Sequence, residues 1–229
     1  DIIKKLAEEL NIGRHQAEAA VKLIDEGNTI PFIARYRKEA TGSLDDEVPR
    51  NLDERLKYLR NLEERKNQVI ASIAEQEKLT PELERSIRDA QTLVAVEDLY
   101  RPYKPKRRTR AMIAKEKGLE PLADLISMQM VKEPLLQAAA AYISQEKGEE
   151  TAEDAIQGAK DILAERISDN AEYRTYIRNA TMNKGVVQSS AKDEKAQSVY
   201  EMYYNYEEPV KKCAGHRILA LNRGENEKI

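Results

Sequence analysis

The 229-residue sequence has no tryptophan, one phenylalanine (Phe32), one cysteine (Cys213) and two histidines (His15 and His216). A lone cysteine excludes an internal disulfide and any cysteine-based zinc site. Two histidines would leave a metal site dependent on carboxylates, and neither a metal nor another cofactor is expected. The cysteine usage fits a reducing compartment, so a cytoplasmic location is expected. Long apolar runs are also missing. The most apolar stretch, LLQAAAAYI at 135–143, is about half the length of a membrane span. No signal peptide is recognisable, and no membrane partner is expected. The first residue is Asp1 and the last residues are the charged NRGENEKI. Both ends read as those of a piece cut from a longer protein.

Catalytic patterns are equally scarce. There is no phosphate-cradling glycine loop and no H-E-x-x-H. A general base needs positioned partners, and neither His15 nor His216 has one in the sequence. The chain is therefore not expected to be an enzyme. Asp45, Asp46 and Glu47 form an acidic cluster after Ser43, but acids behind a capping serine are the ordinary opening of a helix.

What the sequence does have is charge. Lys and Arg number 38, Asp and Glu 41, and charged residues make up 34% of the chain against 41% hydrophobic. The net charge of −3 argues against nonspecific nucleic-acid binding by the whole surface, while leaving room for local basic patches. Interspersed charge of both signs suits long solvated helices. Apolar spacing agrees. Ile3, Leu6 and Leu10 share one helical face, and Ala17, Ala20, Val21 and Ile24 share another, with Gly13 between them as the residue expected to take positive φ. These two short helices resemble a helix-turn-helix. The exposed face of the second carries Glu18, Asp25 and Glu26, which would repel phosphate, so a structural hairpin is favoured over a DNA reader.

Pro31 suits a first helical turn, with Phe32, Ile33, Tyr36 and Ala40 on the apolar side and Arg35 and Lys38 together on another. A long helix is predicted from Leu52 to about Gln76, with a stripe of Leu52, Leu56, Leu59, Leu62, Val69, Ile70 and Ile73 interrupted near Arg65 and Lys66. Thr80 and Pro81 open a helix predicted to reach about Leu99. Four more helical segments follow, with Gly118, Gly148 and Gly185 in or near three of them. VVQSS at 186–190 is the one β-leaning patch. Tyr200, Tyr203, Tyr204 and Tyr206 read as helically spaced packing residues before Pro209. The expected class is all-α: an elongated multi-helix array with a helix-turn-helix-like N-terminal hairpin and one long helix. Expected domains are 1–60, an N-terminal helical unit; 61–205, a central helical domain; and 206–229, the start of a further segment.

The chain's most unusual stretch is RPYKPKRRTR. Six of the ten residues from Arg101 to Arg110 are basic, and Pro102 and Pro105 stiffen the run. Lys104, Lys106, Arg107, Arg108 and Arg110, with Arg35 and Lys38, are the candidate nucleic-acid contacts, because such groups grip phosphates without reading sequence. Tyr100 and Tyr103 stand beside them as possible stacking residues. An alternative reading has equal chemical logic. Glu97, Asp98, Glu116 and Glu120 are near in sequence, so the same cations could pin the segment to neighbouring helices or to other domains.

Three motifs, IPFIARYRKEATGSLDD, VEDLYRPYKPKRRTRAMIAKEKGLEPLA and HRILALNRGENE, resemble the N-terminal part of the Tex family of bacterial transcription accessory proteins, in matching order and over essentially the whole chain. The resemblance implies a cytoplasmic, non-enzymatic, nucleic-acid-binding protein linked to transcription. It also implies RNase H-like, helix-hairpin-helix and OB-fold domains downstream, outside these residues. RNA or DNA would then be bound mainly through those domains, and transcription-complex proteins are possible partners. A nuclease reading rests only on the RNase H-like analogy, and no acidic cluster on a sheet supports it here. A protein-interaction scaffold with little nucleic-acid affinity of its own is the alternative function. One departure from the family stands out: Lys212, Cys213, Ala214 and Gly215 precede His216 and Arg217 where Ile-Pro-Ser is usual.

Overall fold

The computed structural model describes residues 1–36, 38–42, 47–129, 133–143 and 151–229. The chain is predominantly helical, as expected. Its contacts divide it into two compact units, Asp1–Tyr103 and Lys104–Ile229.

In the first unit, α1 (Ile2–Leu10) and α2 (Arg14–Asp25) form the expected hairpin. Its turn differs in detail from expectation. Asn11, not Gly13, adopts the left-handed conformation (φ 52°), while Gly13 is extended at φ −65°. Asn tolerates that region because its short side chain bonds locally. A Cβ on Gly13 would lie 2.8 Å from the ring of exposed His15, so a larger residue there would require that side chain to turn aside. Gln16 closes the cap by accepting from the Gly13 amide at 2.8 Å. Its own amide donates to the carbonyls of Thr41 and Gly42 at 3.3 and 3.2 Å.

Helix α3 (Ile30–Tyr36) buries only Ile33. Phe32 and Tyr36, expected on an apolar side, are 37% and 66% exposed. The Ser43 cap with Asp45 and Asp46 lies outside the described residues. The long helix, α4, runs from Glu47 to Glu75. It buries Leu52, Leu56, Leu59, Leu62, Val69 and Ile73 against α1, α2, α3, α5 and α6.

The interruption in that stripe is a buried lysine. Lys66 is 4% exposed, and its ammonium donates to Glu63 at 2.8 Å and to the Arg88 carbonyl at 2.7 Å. That carbonyl belongs to the last turn of α5 (Pro81–Asp89). Helix C-termini leave carbonyls without intrahelical donors and favour cations. The aliphatic stem of Lys66 thus fills a core position while its head caps a helix end. Arginines of α4 reach outward to the helices around it: Arg55 to Glu9, Arg60 to Asp25, and Arg65 to Glu97.

The helix predicted to reach Leu99 is instead two. Ala90–Thr92 breaks it, and Thr92 caps α6 (Leu93–Tyr100) by accepting from the Ala95 amide. Threonine offers the backbone a hydrogen bond that competes with helix continuation.

The second unit begins with α7 (Arg110–Glu116), α8 (Glu120–Met128) and α9 (Leu135–Ala140), which pack on α10 (Ala152–Asp169). Gly118 separates α7 from α8 with φ 83°, a conformation only glycine adopts freely. The core is built from small residues, Ala111, Ala114, Ala123, Ala155 and Ala159, around Leu119, Leu122 and Ile162. Gly158 sets the closest approach, since a Cβ there would fall 2.3 Å from Leu119 Cδ1. The helix end expected near Gly148 lies outside the described residues.

After α11 (Ala171–Lys184), Gly185 ends the helical run as expected. Val186–Ser190 forms β1, and Asn205–Pro209 forms β2, antiparallel to it with Ser189 opposite Tyr206. The tyrosine segment is therefore not a helix. Tyr206 and Glu208 alternate in burial with Asn205, Glu207 and Pro209: a period of two that was masked by the density of tyrosines. Packing of Tyr203 on Tyr206 is real, edge to face at 5.2 Å. It joins a 3-10 turn (Glu201–Tyr203) to a strand. Helix α12 (Gly215–Asn226) closes the unit. No described helix is long and apolar enough to cross a membrane.

Candidate nucleic-acid interface

The basic segment is anchored at its centre. Lys106 donates to Asp169, the last residue of α10, and lies 3.5 Å from Glu165 one turn earlier. Asp169 is only 8% exposed. Two acids in the last turn of a helix oppose its dipole, and a cation between them relieves that cost. Arg108 pairs with Glu116 at 2.7 Å, and Arg110 approaches Asp161 at 3.9 Å. Thr109, between them, caps α7 by accepting from the Met112 amide. Arg107 projects into solvent with no partner among the described residues. Lys104 is exposed and has a protein contact.

The anchor also sets the segment's neighbourhood. Asp169 is followed by Asn170, which caps α11 by accepting from the Tyr173 amide at 3.0 Å. The Lys106–Asp169 bond thus holds the basic segment beside the first turn of α11. That helix has no buried residue. Tyr173 and Tyr176 are 50% and 74% exposed; Arg174 lies between them in sequence and Arg178 two residues beyond. Aromatic rings beside cations are the pattern of a single-strand stacking surface. The sequence signal was the spelling of YRTYIR itself, obscured by the denser tyrosine cluster downstream.

Tyr100 does not have the expected stacking role. It is 7% exposed, bonded to Ser72 at 3.0 Å and covered by the Arg65 guanidinium. Tyr103 packs half-buried against the same core, and its carbonyl accepts from Gln76.

In the first unit, Arg35 and Lys38 do converge, and Arg50 joins them around a concavity of about 530 Å³ with Ile30, Pro31 and Ala34. Arg35 and Arg50 have no partner among the described residues, whereas Lys38 has one. Arg50 was not singled out from the sequence because it lies twelve residues beyond Lys38, at the start of α4. In the hairpin, Arg14 is held by Asp1 and Glu18 at 3.0 and 2.9 Å.

A polar cluster ties β2 to α12. Arg217 and Tyr206 both donate to Glu208. Arg217 first, then Tyr206, holds the Glu208 carboxyl down to about 2. Burial first, then Glu208, pushes the Cys213 thiol up, which disfavours the reactive thiolate. Among the described residues no group of His, Cys, Asp and Glu could hold a metal ion.

Comparison with known proteins places these features in context. Residues 1–74 match the Tex-like protein N-terminal domain, and residues 132–229 match the Tex central region-like model. The chain is similar to YdcI of Bacillus subtilis, at 49% identity over 99% of this chain and 32% of that protein. It is 43% identical to the transcriptional accessory protein Tex of Neisseria gonorrhoeae, over 100% of this chain and 30% of the relative. A human S1 RNA-binding domain-containing protein 1 is 29% identical over 100% of this chain and 24% of its own length. The chain thus spans about a third or less of these curated relatives.

Proposed function

Because this chain carries the N-terminal and central domains of the Tex family, we propose that it is a non-enzymatic helical module of a transcription-associated protein, and that it holds single-stranded nucleic acid along its basic segment and α11. The observation that carries this reading is the Lys106–Asp169 anchor. It spends one cation on structure, tying the basic segment to the end of α10, where α11 with its exposed tyrosines follows, while Arg107 stays exposed. Arginine would contact phosphate, and Tyr173 and Tyr176 would stack on bases. The printed names of the relatives, a transcriptional accessory protein and an S1 RNA-binding domain-containing protein, support the partner class. Arg35, Lys38 and Arg50 are a second phosphate-binding patch in this proposal, within the first unit.

Photo-crosslinking tests it. Single-stranded RNA carrying 4-thiouridine should crosslink to peptides containing Arg107 and Tyr173–Arg178, with weaker sites at Arg35–Arg50. Crosslinks confined to other surfaces would reject the assignment.

The engagement of Lys106, Arg108 and Arg110 by carboxylates favours a second reading, a protein-interaction scaffold whose basic segment is a structural clamp. The two differ in what Arg107 and Tyr176 do. In the scaffold reading, neither substitution changes RNA binding.

A further inference from the structure

The two-stranded sheet has an open side. In β1, Gly185 accepts from Val210 and Ala191 donates to Tyr204 at its two ends. In an antiparallel ladder, bonded residues alternate. Val187 and Ser189 therefore face β2, while the amides and carbonyls of Val186, Gln188 and Ser190 point away from it. All three residues are exposed, and no partner for these groups exists among the described residues. A row of unpaired backbone groups is a template for another strand.

A groove of about 560 Å³ is lined on one side by β1, from Val187 to Ser190. Its other wall is α12, through Ile218 and Leu221, with Tyr200 and Tyr204 between. The groove is thus half apolar, and it holds two lysines, Lys192 and Lys228, against one glutamate, Glu225. The end of α12 bears on what fills it. Lys228 takes φ 64°, and the Ile229 amide donates back to Gly224 at 3.1 Å. This left-handed C-terminal turn stops the helix and redirects the backbone, and Lys228 and Ile229 themselves line the groove.

We propose that the free edge of β1 is taken by an extended strand from the polypeptide that follows this region in full-length members of the family. Strand addition would continue the ladder already formed by β1 and β2, with backbone bonds to Val186, Gln188 and Ser190. Alternate side chains would enter the apolar part of the groove, and acidic or neutral ones would meet the lysines. The family relatives supply the source. The matched models are described as the N-terminal domain and the central region of Tex-like proteins, and the chain covers 32% of YdcI, which leaves polypeptide beyond the central region as the source.

The inference rests on family membership and not on nucleic-acid binding, so its test contains no nucleic acid. The twelve residues that follow the matched region in YdcI are appended after Ile229, and amide hydrogen exchange is followed by NMR. The amides of Val186, Gln188 and Ser190 should exchange freely in the 229-residue chain and slow roughly hundredfold in the extended one. Gln188→Pro should remove that protection from Val186 and Ser190. It should leave the β1–β2 ladder intact, because the lost N–H faces the open side; unchanged protection of Val187 and Ser189 checks this. Equal exchange in the two chains overturns the proposal. So does protection that already appears in the 229-residue chain and rises with its concentration, which would make a second copy the occupant.

Discussion

Lys106, from the middle of the most basic segment, donates to Asp169 at the end of α10. The most conspicuous cation cluster of the chain is therefore partly internal. A basic run in an acidic protein is here divided between an anchor and a projecting group. Replacing Lys106 by Ala should cost about 1–2 kcal/mol, because Asp169 loses a charged donor. Arg107→Ala should leave stability within about 0.5 kcal/mol. Urea denaturation of the two variants checks the division directly.

Lys66 makes a sharper stability prediction. Lys66→Ala deletes a buried stem and orphans the Arg88 carbonyl, and should cost about 2–4 kcal/mol. Lys66→Met keeps the stem and loses only the head, so its cost should be clearly smaller. Equal losses in chemical denaturation would mean that the ammonium contributes all of the effect.

Acid should weaken the β2–α12 connection. The Glu208 carboxyl is lowered from 4.5 to about 2 by Arg217 and Tyr206. A carboxyl with a depressed folded pKa contributes stability that is complete above its unfolded value and is lost as pH falls through the folded one. The chain should lose stability progressively between about pH 4.5 and pH 2, and Glu208→Gln should flatten that slope. Urea midpoints at pH 5 and pH 3 for both proteins measure it.

Helix α12 begins at Gly215 after Ala214, whose extended conformation suits a cap but whose side chain makes no capping bond. Ala214→Ser should raise stability by about 0.5–1 kcal/mol, read as an increase in the thermal midpoint.

Much of this architecture was legible in the residues. The α4 stripe, the cap at Thr80, the stop at Gly185 and the β character of VVQSS all follow from local rules. Elements that escaped were decided by partners distant in sequence. The tyrosine segment became β2 because β1 lay ready to pair with it, and the gap in the α4 stripe was filled by Lys66 because α5 ends beside it. Site residues divided the same way. Arg35 and Lys38 were paired by spacing, though α3 ends at Tyr36 and Lys38 reaches the same concavity from the turn beyond it, and Arg50 joins them only through the packing of α3 on α4. The basic composition of the segment at 101–110 was plain, whereas which of its cations projects depends on acids about fifty to sixty residues away on α10.

Whether Arg107 and the α11 tyrosines grip a single strand is read from fluorescence anisotropy with a labelled single-stranded RNA over a range of salt concentrations. Binding should weaken with salt, with a slope shallower by about one in Arg107→Ala. Tyr176→Ala should lose roughly tenfold in affinity, with the salt slope unchanged. Indistinguishable curves for the parent chain and both variants, or no binding at low salt, would contradict it.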